Sequence, residues 1–179
     1  VLSPKTKQKA EMEITTVNQL IAAGAGLFGV LVGGAVTATV NYRVENAKRR
    51  YEKESFEAGF IAEVDALLMI IEKRRYLDFF TEFLKMPEIL SGGSQAMLYA
   101  LIPDNYAPFY QNNMSKVGLL GPEKSSKLIQ FHQILTAIIQ DFKPDSYVGQ
   151  HGFEKEALEE NLHLLEMAIS LGNELTTQG

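Results

Sequence analysis

From Ile14 to Tyr42 the chain carries no charged side chain, and the apolar centre of that gap, Leu20–Val40, is 21 residues long. As an α-helix rising 1.5 Å per residue, a segment of that length covers about 30 Å, the thickness of a bilayer's hydrocarbon core. Two other forms of such a run are a cleaved signal and a buried core helix. A signal has a basic front, here Lys5, Lys7 and Lys9, and a small-residue exit, here Val36-Thr37-Ala38. The apolar run exceeds the usual signal core, however, and an uncharged stretch of 21 residues is more than a soluble core needs. The expectation is a transmembrane helix over residues 17–42, a flank at 1–16 and a cytosolic helical bundle over 43–179.

The span is poor in bulky side chains. Gly24, Gly26, Gly29, Gly33 and Gly34 alternate with alanines, and Ala25, Gly29, Gly33 and Thr37 form a small-residue stripe with a spacing of four. Small residues at that interval let two helix backbones approach closely enough for dispersion contacts and weak Cα–H bonds. A lone Gly-x-x-x-Gly is common in membrane helices, but five glycines within 11 residues point to lateral self-association, so a homo-oligomer is expected. Orientation follows the basic residues beside the span. Arg43, Lys48, Arg49, Arg50 and Lys53 on the C-terminal side outnumber the three lysines before it, which puts the C-terminal domain on the cytoplasmic side. The same five side chains would meet anionic headgroups of the lipid bilayer.

Charge and composition narrow the function. Residues 88–179 contain five Lys, no Arg and eleven acids, so direct nucleic-acid binding is not expected there. The lack of cysteine removes disulfides, thiolate metal sites and cysteine nucleophiles together.

Beyond the span, Phe56, Phe60, Ile61, Val64, Leu67, Leu68 and Ile71 recur at three- and four-residue intervals and predict one apolar helix face. Tyr76, Phe79, Phe80, Phe83 and Leu84 continue it to Pro87, so a long first helix of about 43–86 is expected, either unbroken or interrupted near Glu52–Gly59. Glu57, Glu63, Glu72 and Lys73-Arg74-Arg75 lie opposite, as a solvated face. Ser91-Gly92-Gly93-Ser94 reads as a flexible connection, followed by a short amphipathic stretch at Ala96–Leu101. Asp104 or Asn105 is placed to cap a short helix carrying Tyr106, Phe109 and Tyr110. Pro122 marks a helix start for about 122–142, and a final helix runs from about Phe153 to Leu175. Alternating strand patterns are absent, so the fold class is all-α: an N-terminal transmembrane helix continuing into a cytosolic antiparallel bundle.

Catalytic constellations are scarce. Gly92-Gly93 and Gly118–Gly121 lack the Lys-Ser/Thr ending of a phosphate loop, and there is no Gly-x-Ser-x-Gly elbow. Glu160 and His163 have the Glu-x-x-His spacing of di-iron bundles, which need two such pairs and two further Glu; one copy reads as an acidic solvated face. No metal or other cofactor is expected. Lys127 and His132 are spaced like the Arg and His of HEPN-class helical ribonucleases, but lysine lacks the planar bidentate grip of guanidinium on phosphate. His132 is expected half-buried, with one ring nitrogen satisfied. Tyr99, Tyr106, Phe109 and Tyr110, with Asn105, Asn112 and Asn113, form an aromatic, amide-rich patch that is either a partner surface or a set of plugs between helices.

Two stretches carry a resemblance. Residues 67–77, Leu-Leu-Met-Ile-Ile-Glu-Lys-Arg-Arg-Tyr-Leu, behind the glycine-rich span, and Asp104-Asn105-Tyr106-x-Pro108-Phe109-Tyr110 leading to Lys116–Leu120, resemble bacterial single-pass inner-membrane proteins of no assigned activity. By architecture alone the chain is also similar to the pore accessory proteins with HEPN-like bundles found beside RNA-targeting CRISPR systems. The glycine stripe and the missing catalytic set lead to the expectation of a non-enzymatic, self-associating membrane protein, a ring or pore of phage defence or envelope stress. The alternatives are an anchored adaptor for a cytosolic protein partner and, third, a helical-bundle hydrolase or nuclease.

Overall fold

The computed structural model describes residues 4–90, 97–98, 102–103 and 105–177, with side chains described for Lys5, Met12 and the described residues from Asn18 onward. All regular structure among them is helical: α1 (Pro4–Lys73), α2 (Tyr76–Leu84), α3 (Pro87–Leu90), α4 (Pro108–Asn113), a 3-10 segment (Met114–Leu120), α5 (Pro122–Asp141), α6 (Tyr147–His151) and α7 (Lys155–Thr177). The expected connection at Ser91–Ser94, Tyr99 and Asp104 lie outside the described residues, as does most of Ala96–Leu101.

The chain divides into two units, Val1–Tyr51 and Glu52–Gly179. In the first, the part of α1 from Asn18 on is long and apolar enough to cross a membrane, and its large side chains are exposed. Leu27, Phe28, Val30 and Leu31 each keep about 70 % of their surface open, the reverse of a soluble helix's apolar face. Thr37 and Thr39 donate their hydroxyls to the carbonyls of Gly33 and Ala35, at 2.8 Å each, so neither presents an unsatisfied donor.

In the second unit the face predicted from spacing is the one buried: Phe60 and Val64 are fully covered and Ile71 nearly so. The expected interruption near 52–59 does not occur. The long helix instead ends at Lys73, and Arg75 adopts φ 55°, ψ 42°, a left-handed conformation that turns the chain into α2. That turn breaks the expected helix over 43–86 well before Pro87. For a residue with a Cβ this conformation costs about 1–2 kcal/mol; the Arg75 side chain donates to Asp78 Oδ2 at 2.7 Å across the turn.

Helices α5 and α7 start and stop within two residues of expectation. Pro122 stands at the first turn of α5 as predicted, and Gly121 before it takes φ 86°, open to glycine and strained for other residues. Two polar links join α5 and α7: Lys127, early in α5, meets Glu174, late in α7, at 3.1 Å, and Asn161 donates to Asp141 at 2.9 Å. Gly172 of α7 is where three helices close up. A Cβ there would lie 2.9 Å from Leu68 of α1 and 3.0 Å from Phe131 of α5. The aromatic core continues through Phe80, Phe142 and Phe153, with ring centroids 5.9 and 4.9 Å apart in turn.

Helix α4 begins later than expected, at Pro108, and no local side chain caps it. Its free N–H groups are satisfied from a distance. Glu63 of α1 accepts from Phe109 N at 2.7 Å and from Tyr110 N at 2.8 Å, one carboxylate oxygen each. Glu57 and Glu52 likewise accept from Lys124 and Lys116. The face expected to be solvated is therefore in part a docking strip; Glu72 does remain exposed.

Candidate functional site

Gly29 and Gly33 have open space where a Cβ would stand, as do Gly24, Gly26 and Gly34. Ala25 and Thr37 are exposed on the same helix. Arg43, Lys48, Arg49, Arg50 and Lys53 are exposed too, and Arg49 pairs with Glu45 at 3.1 Å along the helix.

Lys127 and His132 diverge around α5. Lys127 bonds to Glu123 at 2.9 Å as well as to Glu174, and these carboxylates, Glu123 foremost, hold its ammonium above the usual lysine range. His132 is 1 % exposed. Its ring stacks on Tyr110 with centroids 3.8 Å apart and meets the edge of Phe131 at 5.2 Å. Neither ring nitrogen has a hydrogen-bond partner among the described residues, against the expectation of one satisfied nitrogen. Burial penalises the imidazolium, and the pKa falls to about 4. Tyr106 bonds to the backbone instead: its hydroxyl donates to the His132 carbonyl at 2.9 Å and lies 3.0 Å from Thr136 Oγ1. Glu160 and His163 are exposed on α7. No group of three metal-ligating side chains occurs among the described residues.

Of the aromatic patch, Phe109 and Tyr110 are plugs between helices, while Asn105 and Asn112 are exposed. Tyr110 is buried, and Phe109 packs edge-on against Phe60 at 5.1 Å. Gly59 makes room for that ring, since a Cβ at residue 59 would fall inside Phe109.

The concave feature that spacing did not announce is a cavity of about 700 Å³ among the end of α1, α2, α5 and α7, with Ile102 and Pro103 also lining it. Leu67 and Ile71 line one side, Phe79 and Phe80 another, Leu135, Ile138 and Phe142 a third, and Tyr106 contributes its ring. Arg74, in the turn after α1, and Tyr76, the first residue of α2, also line it. No family model, characterised protein or solved structure matches this chain.

Proposed function

We propose that this chain is a non-catalytic membrane protein of a bacterial inner membrane that associates with copies of itself through the glycine face of its span. In this reading residues 43–179 form an antiparallel helical bundle on the cytoplasmic side, and the basic cluster from Arg43 to Lys53 meets the headgroups. Support comes from the contrast among the glycines. Gly59 and Gly172 make room for Phe109, Leu68 and Phe131 within the chain, whereas five glycines between Gly24 and Gly34 have nothing within 4 Å. A glycine inside a helix costs about 1 kcal/mol relative to alanine, so five of them without a packing role are a standing penalty. Contact with a second span would offset it. A ring of such spans, opened as a pore in phage defence or envelope stress, is the assembly this architecture suits.

The mass of the full chain in nanodiscs or mild detergent, by light scattering, tests the reading. A discrete multimer is expected, with a shift to monomer when Gly29→Leu and Gly33→Leu are combined. A monomeric parent chain overturns self-association, and an unchanged multimer in the double variant overturns the glycine face as its cause. Because the chain has no cysteine, Ser170→Cys gives a single label site on α7 whose accessibility from the cytoplasmic side reports orientation.

A further inference from the structure

The cavity beside α2 has a chemistry that self-association of the span leaves unused. Its volume of about 700 Å³ suits one small ligand. Its wall is hydrocarbon, with Leu67, Phe79, Leu135 and Ile138 among the lining side chains. One charged side chain reaches it among the described residues, and that is a cation, Arg74. The sign is unexpected in a chain of net charge -5, whose neighbouring cleft is lined by Asp65, Glu72 and Asp78. Arg75 next in sequence is matched by Asp78 at 2.7 Å. The Arg74 guanidinium has no such partner among the described residues, and Arg74 is exposed while lining the cavity. Tyr76, half-buried, is a second lining residue with a polar group to offer.

An apolar wall ending in one cation complements a hydrocarbon chain ending in one anion. A polar solute would leave the wall in water, and a neutral hydrocarbon would gain nothing from the guanidinium. We propose that this cavity binds a single-chain amphiphile with an anionic head, of the long-chain fatty carboxylate type, its tail among the leucine, isoleucine and phenylalanine side chains and its carboxylate on Arg74 and the Tyr76 hydroxyl. The inference stands on the cavity's own lining and does not depend on self-association of the span.

The test uses the full chain in phosphatidylcholine nanodiscs and palmitate carrying a mid-chain photoreactive diazirine, with adducts mapped by mass spectrometry. Adducts are expected within residues 67–80 and 135–142, suppressed by excess palmitate. Hexadecanol, which keeps the tail and loses the charge, should compete about fivefold less well, the ratio for one ion pair open to solvent. Arg74→Gln, an exposed substitution that leaves the core intact, should erase that difference between acid and alcohol. Leu135→Trp, which fills the cavity, should abolish the adducts. Adducts confined to residues 18–42 would mean that the probe merely dissolves in the bilayer, and the proposal fails. It fails equally if hexadecanol competes as well as palmitate, or if Arg74→Gln leaves their ratio unchanged.

Discussion

Replacing His132 by phenylalanine should remove a pH dependence of stability. In the folded chain burial lowers the His132 pKa from 6.5 to about 4. Above pH 6.5 the ring is neutral folded or unfolded, and this contribution is constant. Between 6.5 and 4 the unfolded chain binds a proton that the native ring refuses, so stability falls as the pH drops. Below 4 both forms are protonated and the loss levels off. The interval from 6.5 to about 4, at 1.36 kcal/mol per pH unit, amounts to about 3 kcal/mol. Phenylalanine keeps the stack on Tyr110 and buries no unpartnered nitrogen, which is worth about 1–3 kcal/mol for each group freed. Its larger ring costs about 1–3 kcal/mol of overpacking in return. With two nitrogens freed, the first term is the larger, so the variant should already be the more stable at neutral pH, and the slope difference adds to that gain. Urea unfolding of the full chain in detergent, followed by near-ultraviolet circular dichroism of the tyrosines, measures both profiles. The variant's advantage should grow by about 3 kcal/mol from pH 7 to pH 4. Parallel profiles, or a His132 ring that titrates near 6.5 by NMR, would refute the reasoning.

Glu63→Ala should strip both amide acceptors from the start of α4, at about 2 kcal/mol for a charged cap. Hydrogen exchange at the Phe109 and Tyr110 amides should then quicken about thirtyfold, and Glu63→Gln, which keeps one acceptor oxygen, should give a smaller increase. Unchanged exchange in Glu63→Ala would show that the carboxylate does not hold the start of α4. Gly59→Ala should destabilise the chain by about 1–2 kcal/mol, because the strain against Phe109 exceeds the gain in helix propensity. In a Phe109→Ala background the sign should reverse, to a gain of up to about 1 kcal/mol. A double-mutant cycle by denaturant titration checks it, and additive effects would dismiss the contact.

Periodicity carried most of the helical layout because it is a local property. Phe60, Val64 and Ile71 could be placed on a buried face, and α5 and α7 bounded closely, from spacing and from Pro122 alone. Glu63 could not. A glutamate on a charged helix face looks solvated, and nothing nearby marks a bond to amides 46 and 47 residues onward. The turn at Arg75 was equally silent, since the left-handed conformation is signalled by glycine or asparagine and here belongs to an arginine. His132 was placed too near the surface because the Tyr110 ring that covers it comes from another element. The cavity lies among four helices, an arrangement that no single segment encodes, so nothing beside Arg74 in the sequence announces that it lines one.

The tie between Glu63 and α4 also fixes an order of events during synthesis. The segment of α1 bearing Phe60 leaves the ribosome well before Phe109 and Tyr110, which cover it. At about 5–20 residues per second the wait is several seconds. Throughout it the apolar face that includes Phe60 and Val64 is without its cover, and Glu63 beside it is without the two amides it caps in the finished fold. Only when α4 has been made can the face close and the carboxylate be satisfied, so the last step in burying this stretch of α1 and the first in fixing α4 are one event.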